Sequence, residues 1–181
     1  LNTHPMKGIW TLQIENTLAG YTGSLQSWAL KNCANNFCRL TVDHTRASGP
    51  GSLKAAIDCA TDGDTIRFVS SIMNDTIFLG NLNLVTNKHI FIQNDITKNI
   101  HIMSTSSNPT LVNNAPVSNQ VLKIKGLHIH SSNANIGAIN NLGNLILEDV
   151  FTYKFAGNST ATINSGQAAS TTLIGNCKVL L

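Results

Sequence analysis

Apolar and polar residues alternate in three short stretches of the chain, each interrupted by a polar corner. The stretches are VLKIKGLHIHS, NLILEDVFTYK and TTLIGNCKVLL, at residues 121–131, 144–154 and 171–181. Alternation with a period of two is typical of strands that bury one face. The corner residues Gly126, Asp149 and Asn176 recur at a nearly constant interval along the chain. We interpret this repeat as a parallel β-coil to which each repeat contributes two strands.

The same alternation extends the coil toward the N-terminus and predicts its interior. Further strands are predicted at residues 65–68, 76–79, 90–92, 100–103, 121–124, 127–129, 145–147, 150–152, 171–174 and 177–180. Eleven aliphatic side chains are predicted to point inward: Ile90, Ile92, Ile100, Ile102, Leu122, Ile124, Leu127, Ile129, Leu145, Leu147 and Val150. Residues 104–120, with two prolines and four asparagines, form the longest break, and we predict a loop that projects from one face.

One segment of the chain has a helical pattern. Glycine and proline at residues 49–51 predict a turn, after which Ser52 can cap the N-terminus of a helix. Four apolar residues then fall on one side of that helix, namely Leu53, Ala56, Ile57 and Ala60. Because the first turn of a coil would otherwise expose unpaired backbone groups, we expect this helix to close it.

The N-terminal part of the chain contains two further strand patterns. Residues 8–14 and 24–30 alternate, and their apolar positions include Trp10, Leu12, Trp28 and Leu30. Two strands alone are marginally stable in water. We therefore expect them to pack on the coil, on an upstream part of the same chain, or on another subunit.

These N-terminal strings resemble a known module. G-I-W-T-L-Q-I at residues 8–14 and G-Y-T-G-S-L-Q-S-W-A-L at residues 20–30 resemble the end of the P domain. The P domain is the β-sandwich that follows the catalytic domain of subtilisin-like proprotein convertases. The Asp that usually follows its first strand is replaced here by Glu15 and Asn16. The resemblance implies that the chain starts inside a domain, and it hints at an upstream protease.

Residues 38–181 resemble right-handed β-helix proteins that are secreted by bacteria or displayed on their cell surface. Three strings stand in the order of that family's pattern: G-P-G-S-L-K-A-A-I at residues 49–57, G-D-T-I-R-F at residues 63–68, and G-A-I-N-N-L-G-N-L-I-L-E-D at residues 137–149. Lys54 stands at the position of a usual Arg. The resemblance implies a cap helix followed by a right-handed coil.

Together these patterns predict an all-β fold. Its main part is a single-stranded right-handed parallel β-helix with an N-terminal cap helix, preceded by two strands of a jelly-roll-like P-domain sandwich. The expected domains are residues 1–33 for the P-domain end, residues 34–48 for a linker and lead-in strand, and residues 49–181 for the capped coil.

Composition supports a chain of strands and tight corners. Of the 181 residues 23 are Asn, which tolerates left-handed backbone and suits corners. The net charge of +3 is scattered, without a basic run, so nucleic acid is not an expected partner. No apolar run approaches the roughly 20 residues that span a bilayer. Residues 1–5 lack the pattern of a signal peptide, so we expect a cytosolic protein or a piece of a longer chain.

Four cysteines bear on the compartment. They are Cys33, Cys38, Cys59 and Cys177, and none forms a CxxC pair or has a His at zinc-finger spacing. Cys33 and Cys38 are close enough in sequence to bridge a short loop, which would fit an oxidising compartment. The alternative is that the cysteines are buried free thiols.

Two close pairs of carboxylates are candidates for a catalytic pair. The close pairs are Glu148 with Asp149, which we place at a corner between rungs, and Asp62 with Asp64, in the turn after the helix. Acids in turns cap backbone N–H groups, so we predict structural roles for both pairs. The arginines that could serve as bases, Arg39, Arg46 and Arg67, all lie near the helix. We therefore assign no catalytic residue.

Histidines suggest a possible metal site. His89, His101, His128 and His130 fall at outward positions of predicted strands, and stacked rungs could align them into a ladder that binds a transition metal. The alternative is that they are ordinary polar occupants of outward strand positions, because no carboxylate orients them in the sequence. We favour the alternative and assign no metal ligand and no cofactor.

The expected function is therefore non-catalytic. We expect an extracellular or cell-surface structural or adhesion module, whose partners are upstream domains or further copies stacked head-to-tail into a filament. The rival hypotheses are a polysaccharide-degrading lyase or hydrolase on the same coil and a module that binds surface glycans. Neither nucleic acid nor a membrane span is expected.

Overall fold

The computed structural model describes residues 38–95, 99–115, 120–133, 135–154 and 161–180, together with Gly20. Apart from Gly20, these residues belong to the second of two units into which the chain divides, Asn36–Leu181. The predicted P-domain strands, with Trp10 and Trp28, lie outside the described residues and stay a prediction. The described residues contain no apolar helix of the length that a membrane span requires.

The described chain consists of short strands and one α-helix. The helix is α1 (Leu53–Cys59), and residues Ser70–Ile72 form a single 3-10 turn. The strands are β1 (Thr41–Val42), β2 (Thr65–Phe68), β3 (Thr76–Phe78), β4 (Leu84–Thr86), β5 (Phe91–Gln93), β6 (His101–Ser104), β7 (Leu111–Asn113), β8 (Val121–Lys125), β9 (His128–Ser131), β10 (Ile139–Asn141), β11 (Asn144–Glu148), β12 (Phe151–Lys154), β13 (Ile163–Ser165), β14 (Ser170–Ile174) and β15 (Lys178–Leu180).

The strands form three parallel sheets that together make a coil of about five turns. The first sheet has the order β1-β2-β5-β8-β11-β14, the second β3-β6-β9-β12-β15, and the third β4-β7-β10-β13. Apart from β1, neighbours in each sheet are three strands apart along the chain, so each full turn contributes one strand to every sheet. All described strand pairs are parallel. The predicted parallel coil is therefore confirmed.

The third sheet corrects the prediction of two strands per repeat. Its strands have the sequences LVT, LVN, INN and INS. Strands this short, with one aliphatic side chain at their inward positions, cannot show alternation. The strand β7 lies within residues 104–120, so the prediction that this whole segment is a projecting loop is wrong.

The interior of the coil is aliphatic, as predicted. All eleven side chains expected to point inward are at most 2% exposed and belong to one core cluster. They stack in register, as Leu122 and Ile124 of β8 do on Leu145 and Leu147 of β11. Their burial removes a continuous column of apolar surface from water, which is the main favourable contribution to folding.

The predicted helix is confirmed at its expected position. Ser52 Oγ accepts a hydrogen bond from the Ala55 backbone N–H at 3.1 Å and so caps the N-terminus of α1. Leu53, Ala56 and Ile57 join the core cluster. At the other end of α1, Lys88 Nζ donates to the Ile57 and Asp58 carbonyl oxygens, at 2.9 and 2.7 Å.

A disulfide joins Cys38, before β1, to Cys59, the last residue of α1. The suggested Cys33–Cys38 bridge is therefore wrong, since Cys38 is already bonded, and Cys33 itself lies outside the described residues. Among the described cysteines, the alternative of a buried free thiol holds for Cys177, which is free and half-buried. Proximity in the sequence was a poor guide to the disulfide pairing, because the fold brings together two cysteines that are 21 positions apart.

Corners between the first and second sheets use left-handed backbone. Gly126, Asp149 and Gly175 occupy this corner in successive turns with φ values of 67°, 52° and 69°. Asp149 tolerates the conformation because its Oδ1 accepts a hydrogen bond from the Asn176 N–H, one turn later, at 2.9 Å.

The last of these corners is longer than the one before it. The corner between β11 and β12 consists of Asp149 and Val150, whereas the corner between β14 and β15 runs from Gly175 to Cys177. The strands on either side of both corners nevertheless pair without a break in register. The last corner therefore contains one additional residue.

Buried asparagines replace aliphatic residues in one column of the third sheet. Asn113 and Asn141 are in register and fully buried. Asn113 Nδ2 donates to Asn141 Oδ1 at 2.8 Å, and Asn141 Nδ2 donates to the Ser170 carbonyl oxygen at 2.8 Å. Each Oδ1 also accepts the backbone N–H two residues later, from Ala115 and Gly143. The ladder thus satisfies corner backbone groups that no strand pairs.

We predict that Asn141→Ala lowers the free energy of unfolding by about 2–4 kcal/mol, because it leaves several buried hydrogen-bonding groups without partners. Asn140, its neighbour on the outer face, is the matched control, and we expect Asn140→Ala to cost about 0.5 kcal/mol or less. Urea unfolding followed by circular dichroism measures both. Equal losses in the two variants would contradict the proposed role of the ladder.

Candidate functional site

On the outer face of the second sheet, histidine and aromatic side chains from successive turns lie next to one another. Outward residues form two columns in register. The first column is Thr76, His101, His128, Phe151 and Lys178, and the second is Phe78, Met103, His130, Tyr153 and Leu180. Parallel register places the members of each column side by side on successive turns. The two columns thus bring together residues that are far apart in the sequence.

Three histidines meet on this face. His101 lies beside His128 in the first column, and His130 lies diagonally across from His101 in the second. His101 Nδ1 and His130 Nε2 are 2.8 Å apart, within hydrogen-bonding distance. One ring nitrogen from each of the three residues lies within 4.8 Å of the others. We call these three residues the histidine cluster.

Aromatic rings enclose the histidine cluster on the side of the next turn. The His130 ring centroid lies 3.8 Å from that of Tyr153, and the His128 ring stacks on Phe151 at 5.2 Å. His130 is only 2% exposed although it points outward, whereas His101 and His128 are partly exposed. Among the described residues, no hydrogen-bonding partner meets the buried Nδ1 of His130.

The surroundings favour neutral imidazoles. Burial lowers the pKa of His101, and burial together with the nearby His101 lowers the pKa of His128. Burial, followed by the charges of His101 and His128, lowers the pKa of His130 from 6.5 to about 4. A neutral imidazole has a free lone pair on one nitrogen, which is the form that binds metal ions.

His89 does not join the cluster. It lies before β5 rather than on a strand, so its predicted strand position is wrong. Its Nδ1 accepts a hydrogen bond from the Val121 N–H at 3.0 Å, and its own backbone N–H donates to Asp62 Oδ1. These bonds hold the corner before the first sheet, which is a structural role.

The acids after the helix cap backbone groups, as predicted. Asp64 Oδ2 accepts hydrogen bonds from the backbone N–H and the hydroxyl of Thr61, and these two bonds lower the Asp64 pKa. Asp62 Oδ2 accepts a hydrogen bond from Gln120 Nε2, in addition to the bond from His89. The Asp62 carboxylate thus connects the turn after α1 to later turns of the chain.

The other acidic pair divides between two structural roles. Asp149 lies at the corner between the first and second sheets of a single turn, so the expected position between rungs is wrong. Glu148, at the end of β11, accepts hydrogen bonds from Lys123 Nζ at 2.6 Å and from Lys125 Nζ. These two bonds lower the pKa of Glu148 and hold it as a carboxylate. The arginines considered as bases are all distant from this pair in the sequence. Arg39 forms an ion pair with Asp43 at 2.7 Å.

A groove of about 260 Å³ runs along the outer face of the first sheet beside Glu148. Its lining includes the Phe91 ring, the Gln93 amide and the ammonium groups of Lys123 and Lys125. Since one carboxylate faces two ammonium groups, the groove keeps a net positive charge. This surface was not predicted, although the alignment of Gly126 with Asp149 also aligns Lys125 with Glu148 and could have revealed the pair.

Comparisons with known proteins do not assign this chain to a family. No family model, no curated protein and no solved structure matches it. The parallel coil therefore rests on the structure described above, and any function must follow from the geometry of its sites.

We predict that lowering the pH from 6.5 toward 4 destabilises the fold through His130. The unfolded chain binds a proton there near pH 6.5, whereas the folded chain binds it only near pH 4, so acid favours the unfolded state. The loss is expected to be about 1–3 kcal/mol. Urea unfolding at several pH values measures it, and His130→Phe should reduce the acid sensitivity. An unchanged pH dependence in that variant would contradict the assignment.

Proposed function

We propose that this chain is a non-catalytic extracellular structural or adhesion module that associates through the last described turn of its coil. The observation that carries the proposal is an apolar end face. Leu173 and Val179 occupy interior positions of β14 and β15 and are 50% and 39% exposed. Their counterparts one turn earlier, Leu147 and Thr152, are almost fully buried.

The backbone at this end favours the same conclusion. β14 and β15 are the outer strands of the first and second sheets among the described residues. An outer strand presents unpaired N–H and C=O groups, and together with exposed aliphatic side chains these form a template for another strand. The proposed partner is a further copy of the chain, stacked end to end.

The opposite end differs from the last turn, so in a filament the last turn of one copy would have to bind the helix-bearing end of the next. Helix α1 contacts β1 and β4 and contributes Leu53 and Ile57 to the core, which favours the role of a cap. The right-handed sense of the coil, the relation to bacterial β-helix proteins and the P-domain character of residues 1–33 belong to the same proposal. They rest on the sequence patterns described above.

The Cys38–Cys59 disulfide supports the extracellular location. Disulfides form and persist in secreted and surface proteins, whereas cytosolic thiols are kept reduced. The acidic pairs support a non-catalytic role. Glu148 is bound by two lysines, and Asp62, Asp64 and Asp149 each accept backbone hydrogen bonds.

We predict that the chain forms species larger than 19.4 kDa whose size increases with concentration. Replacing Leu173 and Val179 together by Lys should return it to a monomer, because lysines at these positions cannot be buried against the next copy without losing their hydration. Sedimentation velocity over a range of concentrations measures both proteins.

Leu142→Lys is the matched control, because Leu142 is equally exposed, at 49%, but lies at a corner before the last turn. This variant should assemble like the parent. A parent chain that stays monomeric at high concentration would contradict association through the last turn, and a dimer that grows no further would contradict a filament.

A second function is favoured by the groove on the first sheet, namely binding of acidic polysaccharides. An aromatic ring beside amide and ammonium groups suits a sugar chain that bears carboxylates. The binding would be weakened by salt, because the charges are partly exposed.

We predict that alginate, but not neutral dextran, retards the chain in affinity electrophoresis. Lys123→Gln should weaken the retardation, whereas Lys54→Gln, on the helix surface, should not, although it removes the same charge. Equal retardation by dextran would contradict recognition of acidic groups. Shortening of the alginate during incubation would favour the rival enzymatic function.

A further inference from the structure

We propose that His101, His128 and His130 together bind one divalent transition metal ion with a preference for nitrogen ligands, such as Zn²⁺ or Cu²⁺. The proposed site lies on the outer face of the second sheet, and it is independent of the last turn and of the groove on the first sheet. It would be a function that the scaffold role does not require.

The spacing of the ring nitrogens carries the proposal. The three residues offer one nitrogen each within a mutual distance of 4.8 Å. Two nitrogens on one tetrahedral zinc ion lie about 3.3 Å apart, given Zn–N distances of about 2.0–2.1 Å. His101 Nδ1 and His130 Nε2 are at 2.8 Å, so this pair must open by about half an ångström, and the third nitrogen must approach. The proposal requires rotations of the side chains that make both changes.

The pair His101 and His130 is already in contact, and metal binding requires a change in how the two rings share a proton. A contact of 2.8 Å between two ring nitrogens holds one proton, donated by one ring and accepted by the other. For a metal ion to accept a lone pair from both facing nitrogens, the donating ring changes tautomer: its proton leaves the facing nitrogen and solvent returns one to the other nitrogen of the same ring, so both rings stay neutral. The exchange needs no change in the backbone, because the strands β6 and β9 fix the positions of all three residues.

The donor set selects the class of ion. Imidazole nitrogen suits Zn²⁺, Cu²⁺ and Ni²⁺, whereas Ca²⁺ and Mg²⁺ require oxygen ligands. His101 and His128 are partly exposed, which leaves an open side where water can complete the coordination.

Burial of His130 holds one of the three ligands in place. The residue is 2% exposed, its ring centroid lies 3.8 Å from that of Tyr153, and its Nε2 faces His101 Nδ1. Because the ring is already held in this position, it loses little side-chain freedom when an ion binds.

The test is isothermal titration of the untagged, chelator-treated full chain with Zn²⁺ and, separately, Cu²⁺. We expect one ion to bind per chain and the melting temperature to rise with the concentration of free metal. His101→Gln and His128→Gln should each weaken binding tenfold or more. Both residues are partly exposed, so these variants are expected to fold, which circular dichroism checks before titration.

His44→Gln is the matched control, because it removes one imidazole outside the cluster and should leave the affinity unchanged. Electron paramagnetic resonance of the Cu²⁺ form is a second readout, which does not depend on stability. It reports the nitrogen ligands of the ion, and we expect fewer of them in His101→Gln. The proposal is overturned if neither ion binds at one equivalent, or if the control variant loses as much affinity as the cluster variants.

Discussion

Parallel pairing between successive turns is the constraint on which the rest of the structure depends. A strand inside a sheet satisfies its N–H and C=O groups with the strand one turn earlier and the strand one turn later. Pairing of this kind places each residue beside the one at the same position in the previous turn, as Lys125 lies between Gln93 and Glu148. Contacts that are distant in sequence thus become the nearest neighbours in the fold.

Register of this kind gives the two faces of each sheet different properties. The inward face accumulates columns of Ile and Leu, whose burial stabilises every turn in the same way. Where the inward residue is Asn, as at Asn113 and Asn141, a ladder of amide hydrogen bonds replaces apolar contact. Outward side chains do not have to fill the core, so residues of different types can lie next to one another on that face. The histidine cluster and the groove beside Glu148 both arise there.

Much of the fold could be predicted from the sequence because its longer strands alternate clearly. The eleven aliphatic residues expected to point inward and the hydrogen bond by which Ser52 caps the N-terminus of α1 were predicted correctly, since each depends on a local pattern. The third sheet was missed because its strands are too short to alternate, and the Cys38–Cys59 bridge was missed because it joins separate elements. A feature could thus be predicted when the pattern that indicates it lies within a few neighbouring residues, and it was missed when the pattern does not.

The candidate sites follow the same rule. His101, His128 and His130 were noticed as outward residues, but their meeting depends on how β6 aligns with β9, and the three aligned repeats did not include β6. Lys125 and Glu148 lie at equivalent positions of the first two aligned repeats, yet their pairing also needs the knowledge that both point outward. Function on this scaffold is therefore a property of register more than of motif.

The additional residue at the last corner between the first and second sheets shows where one turn of such a coil can accommodate an inserted residue. Because the corner from Gly175 to Cys177 absorbs that residue, the strands on both sides of it stay in phase with the turn before. An insertion of one residue within a strand would instead exchange its inner and outer faces and turn aliphatic side chains toward water. Corners are thus the places where evolution can lengthen a turn and add new surface without rebuilding the interior.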